Sequence, residues 1–307
     1  MTGVGIVIVT YNSRAEIGAC LAAAAGRADE IVVVDNGSTD GTAEEVARRG
    51  VRLIANATNR GFAAAVNQGF VVLQTRFVLL LNPDAVLLTD VAPLREACEQ
   101  PDAAGAGGRM LNPDGTPQTG FMARSLPTPA ALILEALLLN RVWPNNPVNR
   151  RYRNLALDVS APAEVEQPAG AFLMIRRDAW EALGGFDEEF HPLWFEDVDF
   201  CKRAIDRGYR MYFVPNAVVK HTGGHSIPRL PVETRLFYWY RSLLRYTAKH
   251  FRPLSFRAMC LAVVTGSLLR VAAESIRRRS LKPMAEYGKV VRFAGRCLYS
   301  GWETGSL

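Results

Sequence analysis

No two of the five cysteines stand at a CxxC spacing; Cys20, Cys98, Cys201, Cys260 and Cys297 are scattered and odd in number. That argues against both a zinc site and a disulfide framework, and for a reducing compartment. GxGxxG does not follow the first predicted strand and GxxxxGK[ST] is missing, so the chain carries neither the dinucleotide fingerprint nor the P-loop. No Ser-His or Cys-His arrangement offers a covalent nucleophile. The apolar run 258–269 is interrupted by Arg270, short of the roughly 20 residues that span a bilayer. No basic n-region precedes Val4, so no signal peptide is expected. There is no internal repeat and no low-complexity segment.

What is present is ordinary globular material: 307 residues, 49% hydrophobic and 21% charged, enough for one large or two smaller domains. The charge is unevenly placed. Residues 229–307 hold 15 Lys and Arg against 4 Asp and Glu, a net of +11, whereas the whole chain carries only +6. A near-neutral to acidic body with a basic tail predicts that the tail meets an anionic surface. A membrane fits better than nucleic acid, because the tail also holds Phe237-Tyr238-Trp239-Tyr240 and the apolar run before Arg270, which reads as an interfacial element. The alternative is a helical subdomain packed on the body, or a homodimer contact.

The body alternates strand and helix. Strands are predicted over 4–9, 31–34, 51–54 and 77–81, with helices from Ser13, Thr42 and Ala63 between them. Ser13 reads as an N-cap, and Thr42 with Glu45 as a capping box. This pattern implies an α/β fold with right-handed crossovers and a mostly parallel sheet. Val78 to Leu81 is apolar without alternation, as in a strand buried on both faces, and Pro83 ends it. Thr10, Asp35, Arg60 and Asp84 then fall beyond strand ends or at a helix entrance, the edge where open α/β sheets bind ligands. Further on come a turn at Asn112-Pro113-Asp114-Gly115, a proline-bearing loop region with an apolar patch over 127–149, and a buried strand over 170–175. A helix opening on Glu196, Asp197 and Asp199 follows. The next strand is expected over 209–214, stopped by Pro215, before Val218–His221 leads to Thr222-Gly223-Gly224-His225.

Singly, each polar candidate also reads as a helix cap, an Asx-turn or a core residue. For Asp199 a place in the helix N-terminal cluster is the favoured reading. Together they form an ordered set: Thr10-Tyr11-Asn12, Asp35-Asn36-Gly37-Ser38-Thr39-Asp40-Gly41-Thr42, Asn59-Arg60-Gly61-Phe62, Asn82-Pro83-Asp84, Gly170-Ala171-Phe172, Gly185-Phe186-Asp187, Glu196-Asp197-Val198-Asp199 and His221. Over residues 4–226 this set resembles the family-2 inverting glycosyltransferases of GT-A fold, above all bacterial rhamnosyltransferases of cell-wall and O-antigen assembly.

The resemblance implies a Rossmann-like sheet flanked by helices, with a GT-A domain over 1–228 (nucleotide-binding half 1–110, acceptor and catalytic half 111–228) and a basic helical extension over 229–307. It implies that Thr10, Tyr11, Asn12, Asp35, Asn36, Arg60, Gly61 and Asn82 hold a nucleotide-diphosphate sugar. Gly170, Ala171, Phe172, Trp194 and Glu196 line the sugar and acceptor pocket, and Asp197 is the general base. Asp84 and His221 hold a divalent metal, Mg²⁺ or Mn²⁺. Asn82 departs from the family's pattern, which has an acid there, and leaves Asp84 as the only carboxylate of that motif. The implied reaction moves a sugar, L-rhamnose from dTDP-rhamnose first, to a hydroxyl of a lipid-linked or polysaccharide acceptor, in the cytoplasm at the inner face of the cell membrane. A galactosyl or N-acetylglucosaminyl transferase using a uridine diphosphate donor is the nearest alternative. A nucleotidyltransferase lacks support because no Gly-rich basic loop follows the first strand. A non-catalytic membrane scaffold would not need Asp84, Asp197 and His221 together.

Overall fold

The computed structural model describes residues 3–223 and 230–302. Its first half runs β1 (Val4–Thr10), α1 (Arg14–Ala24), β2 (Glu30–Asp35), α2 (Thr42–Arg48), β3 (Arg52–Ala55), α3 (Phe62–Val72), β4 (Phe77–Leu81), β5 (Ala85–Leu87), α4 (Ala92–Cys98) and β6 (Ala103–Leu111). The middle comprises β7 (Ala123–Arg124), α5 (Pro129–Ala136), α6 (Leu139–Val142), α7 (Pro147–Tyr152), β8 (Ala163–Val165), β9 (Gln167–Pro168), β10 (Phe172–Arg176), α8 (Arg177–Leu183), α9 (Glu196–Asp206) and β11 (Arg210–His221). Three long helices follow: α10 (Val232–His250), α11 (Pro253–Arg278) and α12 (Lys282–Ser300). Gly224, His225 and the domain boundary drawn at 228 lie outside the described residues.

Packing divides the chain into two compact units. One comprises Met1–Leu126, Arg153–Pro192 and Glu196–Ser226, the other Pro127–Tyr152, Leu193–Phe195 and Ile227–Leu307.

The first unit is built on a mixed sheet of order β3-β2-β1-β4-β10-β6-β11-β5, with β8 on β11. β1 to β4 are parallel, as their helical crossovers require. β4 is buried at all five positions, and Leu79 and Leu80 stand at 0 and 2% exposure. Each such leucine contributes about 1.5–3 kcal/mol of burial. β10 then enters antiparallel between β4 and β6. Because β10 runs the other way, its start lies at the same sheet edge as the ends of β1, β2, β4 and β11.

Three local expectations change. Ser13 makes no side-chain cap on α1. Gly41, not Thr42, caps α2, because Asp40 Oδ1 accepts from both the N–H and the hydroxyl of Thr42 and takes over the capping role. Nor does Pro215 end its strand. β11 continues to His221 across a register shift between Val214 and Val218, since a bulge tolerates a residue with no N–H to give. That extension pairs with β5, a three-residue strand without sequence signal, and sets Ala85 opposite His221.

In the second unit α11 packs against α5, α10 and α12. Residues 127–152 therefore group with the C-terminal helices rather than with the sheet that precedes them. The apolar run does not stop at Leu269. α11 passes through Arg270, whose Nη1 turns aside to donate to Ala136 O (2.6 Å). At 26 residues α11 is long and apolar enough to cross a membrane by length and composition, with a third of its most apolar window buried in the unit. The aromatic cluster of the tail packs partly within the unit: Phe237 meets Phe293 edge-on, Trp239 meets Trp194 and Phe195, and Tyr240 is buried. Phe237, Tyr238 and Trp239 are half-buried. Most of the exposed large apolar residues of the tail lie on α11 and α12.

A Cβ at Gly266 would stand 1.9 Å from Ala136 O, so α11 approaches α5 only because that position is glycine. Gly266→Ala is expected to cost about 1–3 kcal/mol, read as a lowered urea midpoint at unchanged slope. An unchanged midpoint would show that this approach does not contribute to stability.

Candidate active site

Two loop clusters share the sheet edge. In the first, Thr10 and Asp35 end neighbouring parallel strands in register, and Thr10 Oγ1 donates to Asp35 Oδ1 (2.8 Å). Asp35 Oδ2 accepts from Ser38 N–H (3.0 Å), and the Ser38 hydroxyl donates to Oδ1. Asp35 is thus both a buried turn-former and the polar end of β2. Asn36 ties this turn to the next loop. Its Oδ1 accepts from Arg60 N–H (3.1 Å), and its Nδ2 donates to Gly61 O (3.0 Å) and Asn59 Oδ1 (3.1 Å). Asn12, in the left-handed region at φ 52, accepts from Thr39 N–H through Oδ1 (2.9 Å) and donates its own N–H to Ser38 Oγ (2.8 Å). Gly61 sits at φ 88, and a side chain there would strike His191, so only glycine opens α3 in this way. Tyr11 is half-buried and the Arg60 side chain is exposed.

In the second cluster, Asn82 leaves β4 and its N–H donates to Ala171 O (3.0 Å). The β5–β11 pairing carries Asp84 against His221, with Oδ1 3.4 Å from Nε2 and both side chains under a tenth exposed. Asn82 Nδ2 is 3.4 Å from the same nitrogen. Gln118, which the sequence did not single out, fixes the imidazole. Its Nε2 donates to His221 O (2.8 Å), which turns its Oε1 to His221 Nδ1 at 3.1 Å. With Nδ1 held by that carbonyl, Nε2 is the nitrogen turned to Asp84, as in metal-binding histidines oriented from behind. Among the described residues no group of three or more His, Cys, Asp or Glu side chains converges. A carboxylate oxygen and an imidazole nitrogen facing one another nonetheless suit a divalent cation that takes its remaining ligands from a diphosphate and water. A cleft of about 400 Å³ opens beside this pair, lined by Gln118, Phe121 and His221 among others. Phe121 stacks on His221 with centroids 5.8 Å apart.

Gly170 opens β10 and joins this edge to α9. Its N–H donates to Asp197 Oδ2 (2.9 Å), and a Cβ there would lie 3.1 Å from that oxygen. Among the described residues Asp197 Oδ1 accepts one hydrogen bond, from its neighbour Val198 N–H (2.8 Å). Burial raises the Asp197 carboxyl above its ordinary range, opposed by those N–H groups and by Arg124. Glu196 is more perturbed. Burial, then the adjoining Asp197 charge, push it well up, and its Oε2 has no hydrogen-bond partner. The helix dipole favours negative charge at this first turn, yet an unpaired buried carboxylate is costly enough to hold its proton. Asp199 takes the structural role favoured for it, fully buried and paired with Arg203 Nε (2.7 Å).

Two of the residues expected at the pocket make contacts of their own. Phe172 is 1% exposed and lies over Gly108, because β10 turns it into the core between sheet and helices. Trp194 belongs to the second unit, edge-on to Trp239 at 5.5 Å. Trp194 and Phe195 both adopt positive φ, 76 and 70, immediately before the acidic helix. Arg124 and Gln167, which face Asp197 from β7 and β9, carry no spacing or composition signal.

The Glu196 environment fixes a pH dependence. Its carboxyl is raised on folding, whereas an unfolded glutamate titrates at about 4.3. Above that value the unfolded chain has shed a proton that the folded chain keeps, so stability falls as pH rises towards the folded value. Glu196→Gln removes this contribution. Thermal midpoints from pH 4.5 to 8 should fall more steeply for the parent than for the variant; parallel curves would clear Glu196 of the effect.

Residues 5–183 match the profile described as Glycosyl transferase family 2, and residues 151–225 match one described as the N-terminal domain of galactosyltransferase. A Mycobacterium tuberculosis protein, N-acetylglucosaminyl-diphospho-decaprenol L-rhamnosyltransferase, is 30% identical over 90% of this chain and 96% of its own length. Among solved structures, the mannosyltransferase PcManGT of Pyrobaculum calidifontis, in complex with GDP-Man and Mn²⁺, superposes with a TM-score of 0.55 at 20% identity. The match covers 98% of this chain and 82% of that one.

Proposed function

The chain belongs to glycosyl transferase family 2, and on that premise we propose that it is a metal-dependent inverting rhamnosyltransferase. It takes L-rhamnose from dTDP-rhamnose to a hydroxyl of a lipid-linked amino sugar diphosphate. The observation that supports the chemistry best is the approach of Asp84 to His221 at the same sheet edge where Gly170 holds Asp197. The transferred sugar and the acceptor rest on the mycobacterial relative, aligned over nearly its whole length; the thymidine diphosphate carrier rests on the resemblance to rhamnosyltransferases.

Thr10, Tyr11, Asn12, Asp35, Asn36, Arg60, Gly61 and Asn82 line the nucleotide, with Asp35 and the peptide groups that Asn36 fixes supplying its hydrogen bonds. Asp84, His221 and the amide of Asn82 would hold Mg²⁺ or Mn²⁺. When bound, such an ion neutralises the charge that develops on the leaving diphosphate. Asp197 Oδ1 takes the proton of the acceptor hydroxyl as that oxygen attacks C1 from the face opposite the diphosphate. A single displacement inverts the anomeric centre through an oxocarbenium-like state. Gly170 and Ala171 form the wall beside the base. Burial and the Asp197 charge disfavour a second negative charge on Glu196 next to it.

Asp197→Asn should lower transfer from dTDP-rhamnose by about 10²–10⁴-fold while donor affinity by calorimetry stays within a few-fold. EDTA should abolish parent activity, and Mn²⁺ or Mg²⁺ restore it. Near-normal turnover of the variant would remove Asp197 from the role, and full activity in chelator would remove the metal. Thermal stabilisation by uridine diphosphate sugars, but not by dTDP-rhamnose, would favour the alternative donor class.

The second unit supports a peripheral place on the cytoplasmic face of the cell membrane. Leu254, Leu261, Leu268 and Ile276 of α11 are each more than half exposed, spaced about two turns apart along one side of the helix. Arg257, Arg277, Arg279 and Lys282 lie exposed on or beside α11. The charge complements an anionic leaflet at about 1 kcal/mol per basic residue near the surface, and the leucines supply interfacial insertion. The full chain is expected to sediment with anionic vesicles at low salt, less at high salt. Leu261→Glu with Leu268→Glu should abolish the association. Indifference of the parent to anionic vesicles at low salt would make this face a dimer or packing surface instead.

A further inference from the structure

Gln167 lies in β9, paired with Arg124 of β7, and is 5% exposed. Both hydrogens of its amide are committed. One goes to Asp197 Oδ2 (3.2 Å), the other to Pro168 O (3.1 Å). Since the adjacent peptide carbonyl fixes the amide's orientation, its nitrogen rather than its oxygen faces the carboxylate.

The distribution of donors over Asp197 is unequal. Oδ2 receives two, from Gly170 N–H and Gln167 Nε2. Oδ1 receives one, from Val198 N–H. A carboxylate oxygen has two in-plane lone pairs, so Oδ2 is filled and Oδ1 keeps one free. The proton-accepting atom is thereby selected before any substrate arrives. The donors also favour the ionised form, against the burial that disfavours it.

We propose that Gln167 is a positioning residue for the base: by occupying Oδ2 it leaves Oδ1 as the basic atom and favours the ionised carboxylate. The inference rests on the reading of Asp197 as general base, but its first consequence, the ionisation of Asp197, does not. The other charged or titratable groups that bear on this site are Arg124 on β7 and Glu196, Asp199 and Cys201 on α9.

The experiment is a ¹³C titration of the Asp197 carboxyl in the full chain, assigned by its loss in Asp197→Asn. The parent is compared with Gln167→Met, which keeps the volume and deletes the donor, and with Gln167→Glu. In Gln167→Met the midpoint should rise by about one pH unit, roughly the worth of one hydrogen bond to a charged group. In Gln167→Glu it should rise further, because the new carboxyl faces Oδ2 with an oxygen. The acid limb of the pH profile of transfer should move by the same amount, with the KM for dTDP-rhamnose unchanged. A midpoint that stays in place in a folded Gln167→Met overturns the proposal. Should Gln167→Met fail to fold, Gln167→Glu carries the same test, and an unmoved midpoint there overturns it equally. A midpoint that moves while Asp197→Asn retains full transfer upholds the positioning role and removes the base reading alone.

Discussion

The antiparallel insertion of β10 between β4 and β6 is the constraint on which the site depends. Phe172 pairs with Leu81 at the sheet edge, so the chain that leaves β4 towards Asp84 passes the chain that enters β10 from Gly170. The hydrogen bond from Asn82 N–H to Ala171 O joins them, and Gly170 N–H, two peptide groups earlier, reaches Asp197. One strand reversal thus links the end of β4, through the start of β10, to a helix that begins more than a hundred residues later. A parallel β10 would have presented Arg176 at this edge and put Gly170 at the far end of the sheet.

Around that constraint the site combines two electrostatic regimes. Asp35 and Asn36 are buried and tied by several internal hydrogen bonds, which orders the loops. Glu196 and Asp197, at the opening turn of α9, have their carboxyls raised by desolvation, and Glu196 Oε2 has no hydrogen-bond partner. Internally bonded polar groups rigidify, whereas perturbed carboxyls mark candidate reactive positions. The same contrast separates Asp199, paired with Arg203, from its two neighbours in the same turn.

Much of this was legible in the sequence, and the reasons differ by residue. The unbroken apolar run before Asn82 announced a central strand because burial on both faces leaves no place for alternation. Thr10, Asp35 and Asp84 were legible because strand ends in a parallel sheet share an edge. β5 was not, since three residues after a proline carry no period. The continuation of β11 past Pro215 was not, since a bulge is a tertiary accommodation. Gln118, Arg124 and Gln167 left no trace because a lone amide or guanidinium among loops has no pattern to stand out from. The packing of Phe237 to Tyr240 was not legible, since hydropathy does not say which way a helix faces, and Trp194 with Phe195 supply a partner for Trp239 from far upstream.

The pairing of β5 with β11 separates what the molecule must keep from what it is free to vary. Asp84 adjoins Ala85, and Ala85 lies opposite His221 in the ladder, so their spacing is set by backbone register, while Gln118 of the intervening loop turns the imidazole. The excursions between these strands that spare Gln118 are therefore available for lengthening, shortening or exchange. An insertion at the tip of the Asn112–Gly115 turn that leaves the Asn112–Gln118 bond intact reshapes the wall of the cleft yet leaves the carboxylate facing the imidazole. Such a scaffold can reshape its cleft by drift in its connections while Asp84 and His221 stay at constant spacing, a division of labour written into two short strands.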